Sequence, residues 1–263
     1  HSTSRRQRQM CIRDRFHTLF NVFTTALLIP FSRSLVKLSQ FVIREKKSPD
    51  EFSVKYIDER ILQTPAIALA QLIKEMSYML EVAQRALDKA MDNFINRTED
   101  EEPVRKDLRE INFLSGKVTD YLIRLSEEDM SHNDELTVSS LYKVLSDIMR
   151  VADFSNNIMR YLRVAVANEL YFSSEGLNEI KEMYSLVDEL FKDVDYTFAN
   201  RTTRLLAKIE DTESKTDKFK LQLQQNHLDR LKGGNCKSES SSLYVNLIGN
   251  IERVADHLVY IAQ

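Results

Sequence analysis

The sequence predicts an all-α fold: tandem three-helix bundles preceded by a short hydrophobic segment. Proline stops at Pro103, so nothing beyond that point forbids a helix interior. Five glycines in 263 residues cannot supply the tight turns of a hairpin-rich sheet protein, which sets sheet architectures aside. Apolar residues recur in alternating steps of three and four, the period of a single helix face.

The first stripe runs through Leu69, Ile73, Met76, Leu80, Ala83, Leu87, Ala90 and Phe94. Thr64-Pro65 precedes it and offers a cap residue followed by a proline in the first turn. The polar run Asn96-Arg97-Thr98-Glu99-Asp100-Glu101-Glu102-Pro103 ends it. A second helix is expected over about 104–127, carrying Leu108, Ile111, Leu114, Val118, Leu122 and Leu125. A third, after Ser131-His132-Asn133-Asp134, carries Leu141, Leu145, Ile148, Ala152, Ser155, Ile158 and Leu162. Short polar turns between such helices make sequential neighbours antiparallel.

The pattern then restarts. Ile73-Lys74-Glu75-Met76 recurs as Ile180-Lys181-Glu182-Met183, and Ser139-Ser140-Leu141-Tyr142 as Ser241-Ser242-Leu243-Tyr244. Arg150-Val151-Ala152-Asp153 recurs as Arg253-Val254-Ala255-Asp256. The offsets are 107, 102 and 103, and the order is kept, as in a duplicated unit whose turns have gained or lost residues. The chain therefore divides into 1–15, 16–47, a linker over 48–63, a first repeat over 64–168 and a second over 174–263. The last helix meets no stop signal at Gln263, so continuation beyond it is expected. Residues 1–15 have no apolar face and are expected to be a non-native leader.

Composition narrows the function classes. Charged residues make up 29% of the chain, yet the net charge is -3, so the dense basic surface that nucleic acid requires is absent. Cys11 and Cys236 form neither a metal quartet nor a CxxC pair, and so few cysteines suit a reducing compartment. No Glu-x-x-His pair of the di-iron bundles is present, nor a P-loop or nucleophile elbow, and no enzymatic activity is expected.

Residues 16–31 contain no formal charge, but the run is shorter than the roughly 20 apolar residues a spanning helix needs. A buried core helix, an interfacial segment and the last piece of a membrane domain all fit it. The cations that follow, Arg33, Lys37, Arg44, Lys46 and Lys47, favour a membrane exit on the cytoplasmic side or a basic helix at the headgroups.

Two pairs of carboxylates stand out. Glu252 and Asp256 are four residues apart, as are Glu213 and Asp217 on the preceding helix, so each pair shares one helix face. If the helices are antiparallel, four carboxylates converge, an oxygen-rich set suited to Mg, Mn, Fe or Zn. Acidic residues at this spacing also decorate many solvated faces. His227 and His257 lie beside the pairs as outer partners or as ordinary core or surface histidines, and Tyr142 and Tyr244 read as packing residues.

Glu252-Arg253-Val254-Ala255-Asp256-His257 resembles the E-R-x-x-D signature of PhoU proteins, where the acids contribute ligands to bound metal. Glu213 and Asp217, with Asn226-His227 and Arg230-Leu231 downstream, are similar to the preceding helix of that family's second repeat. In the first repeat Asp153 and Asn157-Ile158 fit the pattern, but Met149 occupies the position of the glutamate, and a thioether does not replace a hard oxygen ligand. The resemblance implies metal ligands at Glu213, Asp217, Glu252 and Asp256, with Asp153 the one candidate metal ligand of the first repeat.

His17-Thr18, Phe20-Asn21 and Pro30-Phe31 resemble the final membrane segment of bacterial sodium/phosphate cotransporters that carry a PhoU-like tail, and the stretch from Tyr56 to Pro65 resembles the link to that tail. The implied role is a cytoplasmic regulatory domain at the bacterial inner membrane, with sodium and phosphate handled by an upstream transport domain that this chain lacks. The implied partners are the membrane, that transport domain and a second copy of the chain. A free-standing PhoU-type adaptor and a helical scaffold without ligand are the alternatives.

Overall fold

The structure, a computed structural model, describes residues 20–25, 52–234 and 238–263. The leader, most of the segment 16–47 with its basic residues, and both cysteines lie outside them. Residues 20–25 belong to a separate unit and form a helical turn in which Phe20, Val22 and Phe23 are exposed. Among the described residues no helix is long and apolar enough to cross a membrane.

The unit that begins at Phe52 contains, among its described residues, six long helices and no strand. They are α1 Pro65–Asn96, α2 Glu102–Leu125, α3 His132–Ala167, α4 Ser174–Asn200, α5 Leu206–Lys232 and α6 Ser241–Ala262. Tandem all-α bundles are thus the architecture. Helices α1–α3 pack on one another, as do α4–α6, and the trios join along two seams, α1 on α4 and α3 on α6. Both seams are antiparallel. Gln84 reaches Asp188 and Asp88 reaches Tyr184 across the first, while Asp147 meets His257 and Tyr161 meets Asn250 across the second.

Every residue of the three apolar stripes is buried. The first stripe understates α1, however. That helix touches α2, α3 and α4, so Leu72, Met79, Val82 and Ala86 are buried on a second face. Helix termini differ from expectation in detail. Thr64 occupies the cap position without a side-chain hydrogen bond, leaving Pro65 in the first turn to set the start. Pro103 lies within the first turn of α2, which begins at Glu102 and ends at Leu125. Ser131 and Ser173 do cap, accepting from the backbone N–H of Asp134 and Gly176.

The first helix of each trio ends the same way. Asn96-Arg97-Thr98 recurs as Asn200-Arg201-Thr202, with Arg97 and Arg201 both in the left-handed region at φ 54° and 49°. This fourth match of the repeat escaped the sequence reading. Residues 52–63, read as a linker, are fastened to the bundle. The fully buried Glu75 carboxylate accepts from the backbone N–H groups of Lys55, Tyr56 and Ile57. Tyr244 is buried as expected, but Tyr142 is 38% exposed and lies outside the core.

Candidate functional site

Antiparallel pairing of α5 with α6 brings the start of one helix beside the end of the other. Glu213, Asp217 and Asp256 each place one carboxylate oxygen within 4.8 Å of the other two. The spacing of four on α5 supplies two of these groups, and α6 supplies the third. In an octahedral site with metal–oxygen distances of about 2.1 Å, ligand oxygens lie roughly 3 to 4.2 Å apart, so a small contraction completes the geometry. The Oδ1 atom of Asp217 is buried with no hydrogen-bond partner. A buried acceptor without a donor is costly, and a cation satisfies it.

The electrostatics agree with an unneutralised cluster. Burial pushes the Glu213 carboxyl above its ordinary value, and the charges of Asp217, Asp256 and Glu252 add to the shift. Asp256 is raised for the same reasons, burial first and Asp217 second. Glu252, also raised by burial, faces the same seam but forms an ion pair of 2.6 Å with Lys220. Lys220 lies three residues after Asp217, on the face of α5 that meets α6, and its Nζ is 3.9 Å from Asp217 Oδ1. The cluster therefore has three convergent acids and a fourth held one turn away by a lysine.

Neither histidine joins it. His227 is buried, hydrogen-bonded to Ser241 and stacked on Tyr244, whose hydroxyl donates to Glu179 at 2.6 Å. Arg230 and Asn226 complete that Glu179 network, which ties α4, α5 and α6 together at the far end of the trio. His257 Nδ1 bonds to Asp147 at 2.9 Å across the α3–α6 seam.

The first trio is built differently. Asp153 is exposed on α3, lines a groove with Arg150 and Arg253, and among the described residues joins no convergent group of three. Counting back from Arg124-Leu125 and Arg230-Leu231 puts Asp107 at the position of Glu213 and the buried Ile111 at that of Asp217. Asp107 is itself buried, and two cations of α1 neutralise it, Lys89 at 2.6 Å and Arg85 at 3.1 Å. Where the second trio leaves carboxylates facing one another, the first supplies its own counter-charges. No local pattern signalled Lys220, Lys89 or Arg85 as partners, since each reaches across from its own helix to another.

The chain is 22% identical over 91% of its length to the putative inorganic phosphate export protein YjbB of Salmonella typhimurium, and 23% identical over 91% to that of Escherichia coli K12. It spans 45% of each of those proteins, about half their length. It is also 24% identical over 72% of its length to the phosphate-specific transport system accessory protein PhoU homolog 1 of Thermotoga maritima, covering 82% of that protein. The PhoU domain matches twice, over residues 76–162 and 180–263, one match to each trio, and this chain belongs to the PhoU domain family.

Proposed function

We propose that this chain is the phosphate-linked regulatory bundle of a bacterial phosphate transport protein, and that its second trio holds a metal ion. The supporting observation is the pairing of two PhoU domains with an alignment spanning nearly all of this chain but under half of the phosphate export relatives. The transport path then belongs to sequence outside this chain, sodium coupling included, and no catalytic reaction is assigned. The segment 16–47 would fasten the bundle to the cytoplasmic face of the inner membrane, beside its own transport domain. A second copy of the chain would be a further partner, and nucleic acid would not.

Glu213, Asp217 and Asp256 would hold the ion, with Glu252 joining if Lys220 moves aside. An all-oxygen set favours Mg, Mn or Fe over softer ions, with Zn at the margin. Such an ion would lock α5 against α6. Asp153, without convergent partners, would contribute nothing to it.

Two measurements test this reading. Purified 1–263 incubated with Mn²⁺ or Fe²⁺ and desalted should retain the metal, and Glu213→Ala with Asp256→Ala should abolish retention. Equal retention in the double variant would reject the site. Phosphate flux should be compared in cells carrying the whole reading frame with and without the codons for residues 52–263. Flux that responds to external phosphate identically in both would reject the regulatory role. A free-standing adaptor is the second reading, favoured by the 82% coverage of the Thermotoga protein. It predicts that the chain is recovered in the soluble fraction rather than with the membrane.

A further inference from the structure

The α3–α6 seam carries a polar groove, distinct from the carboxylate cluster. Arg150 and Arg253 are repeat-equivalent, 103 residues apart, and so are Phe154 and His257. Because α3 and α6 cross antiparallel, equivalent positions face one another, and the Phe154 and His257 rings lie 6.0 Å apart. The same crossing puts both arginines on one groove of about 580 Å³, together with Asp153, Asn157, Asn250 and His257. Neither arginine is within ion-pairing distance of a carboxylate among the described residues, although arginines elsewhere in the bundle are so engaged.

The polar groups of the groove are oriented by their neighbours. Asn157 Oδ1 accepts from Arg160 at 3.0 Å, leaving the amide NH₂ as its free end. Asp147 fixes the His257 ring through Nδ1, and Asn250 is anchored on the Tyr161 hydroxyl at 2.7 Å. What remains is two guanidinium forks, the amides of Asn156 and Asn157, the His257 Nε2 and one carboxylate, Asp153. Paired guanidinium forks match the oxygens of a tetrahedral oxyanion. A carboxylate among them repels a fully deprotonated anion but accepts a hydrogen bond from one that keeps a proton. At neutral pH phosphate keeps at least one proton and sulfate keeps none.

We propose that this groove, built by the duplication of the trio, binds free inorganic phosphate in a protonated form through Arg150 and Arg253, with Asp153 selecting it over sulfate. The site goes beyond the metal and transport proposals and depends on neither. The second copy of the repeat is required, since one trio contributes one arginine.

The test is calorimetric titration of the full chain with inorganic phosphate at neutral pH in chelator, which separates it from the metal site. Saturable binding is expected, weakened at least about tenfold by Arg150→Gln or Arg253→Gln, each of which removes a charged hydrogen-bond donor. Sulfate should bind at least about tenfold more weakly than phosphate, and Asp153→Asn should shrink that gap. These positions are exposed, so the variants should keep the helical circular dichroism of the parent. Absence of saturable binding up to millimolar phosphate would overturn the proposal. So would binding that survives both arginine changes, equal affinity for sulfate, or tighter binding of glycerol 3-phosphate than of free phosphate.

Discussion

Lys220 Nζ sits 2.6 Å from Glu252 and 3.9 Å from Asp217, bridging α5 and α6 beside Glu213 and Asp256, which form no ion pair among the described residues. The lysine acts as a resident counter-charge on a seam that would otherwise be purely acidic. Both members of the Lys220–Glu252 pair are largely shielded from water, at 21% and 16% side-chain exposure, so the pair is more than a surface contact.

Replacing Lys220 by Met should therefore act in opposite directions with and without metal. Without metal, Glu252 loses its partner and the seam loses about 1–3 kcal/mol, read as a lower Tm in chelator. With Mn²⁺ present, the released Glu252 becomes a fourth ligand and the Tm gain on metal addition should exceed that of the parent. A gain equal to the parent's would mean that Glu252 does not turn toward the cluster.

The raised carboxyls fix the pH dependence of the metal-free protein. Glu213, Glu252 and Asp256 all titrate above their ordinary values of 4.5 and 3.8 when folded. The folded chain thus holds more protons than the unfolded one between the ordinary and the raised values. Stability from this cluster is fully present below the ordinary carboxyl range and is lost as pH rises through the raised range. In chelator, the Tm of the parent should fall over that window more than the Tm of Glu213→Gln with Asp256→Asn. Bound metal should reverse that trend in the parent, because it displaces the protons and its affinity rises as the carboxyls deprotonate. Parallel Tm profiles for parent and variant would contradict the geometry of the cluster.

Helix positions, the duplication and the acid pairs were legible because each is a local property of the chain. Stripes such as Leu69 to Phe94 and spacings such as Glu213 with Asp217 follow from a repeat of 3.6 residues. Partners across helices were not legible. Whether Glu252 meets a metal, Lys220 or water depends on the register of α5 against α6, which no local pattern encodes. Asp107 with Lys89 and Arg85, and Asp147 with His257, were invisible for the same reason. Met149 did signal a difference between the repeats, and the buried Ile111 on α2 extends it.

Glu75 shows the same limit, since it stands between Lys74 and Met76, off the apolar stripe, where nothing local marks it as buried. Its carboxylate instead collects three backbone donors of residues 55–57, and Lys55 covers the ring of Tyr78 beside it. Glu75→Gln keeps the shape but replaces a charged acceptor by an amide whose NH₂ faces N–H groups. A loss of about 1–3 kcal/mol is expected. Limited proteolysis should show faster cleavage around Tyr56 in this variant, while cleavage in the α5–α6 loop stays at the parent's rate. Unchanged cleavage near Tyr56 would mean that the segment is held by other contacts.

The two left-handed arginines give a matched pair of substitutions. Arg97 and Arg201 close α1 and α4 in the same backbone conformation, which costs a residue with a Cβ about 1 kcal/mol relative to glycine. Their side chains differ. Arg97 donates to the backbone carbonyls of Ala165 and Leu170 at the end of α3 and lies 4.2 Å over the Tyr171 ring. The Arg201 side chain is exposed and makes no hydrogen bond or ion pair among the described residues, while its backbone N–H donates to Phe198. Arg201→Gly should therefore raise stability by roughly 0.5–1 kcal/mol, as backbone strain is relieved with nothing lost. Arg97→Gly relieves the same strain but removes the charged caps of α3, and should lower stability by about 1–2 kcal/mol net. Chemical denaturation of the two variants reads the difference directly. Equal midpoints would show that Arg97 contributes backbone geometry alone and that the end of α3 is satisfied without it.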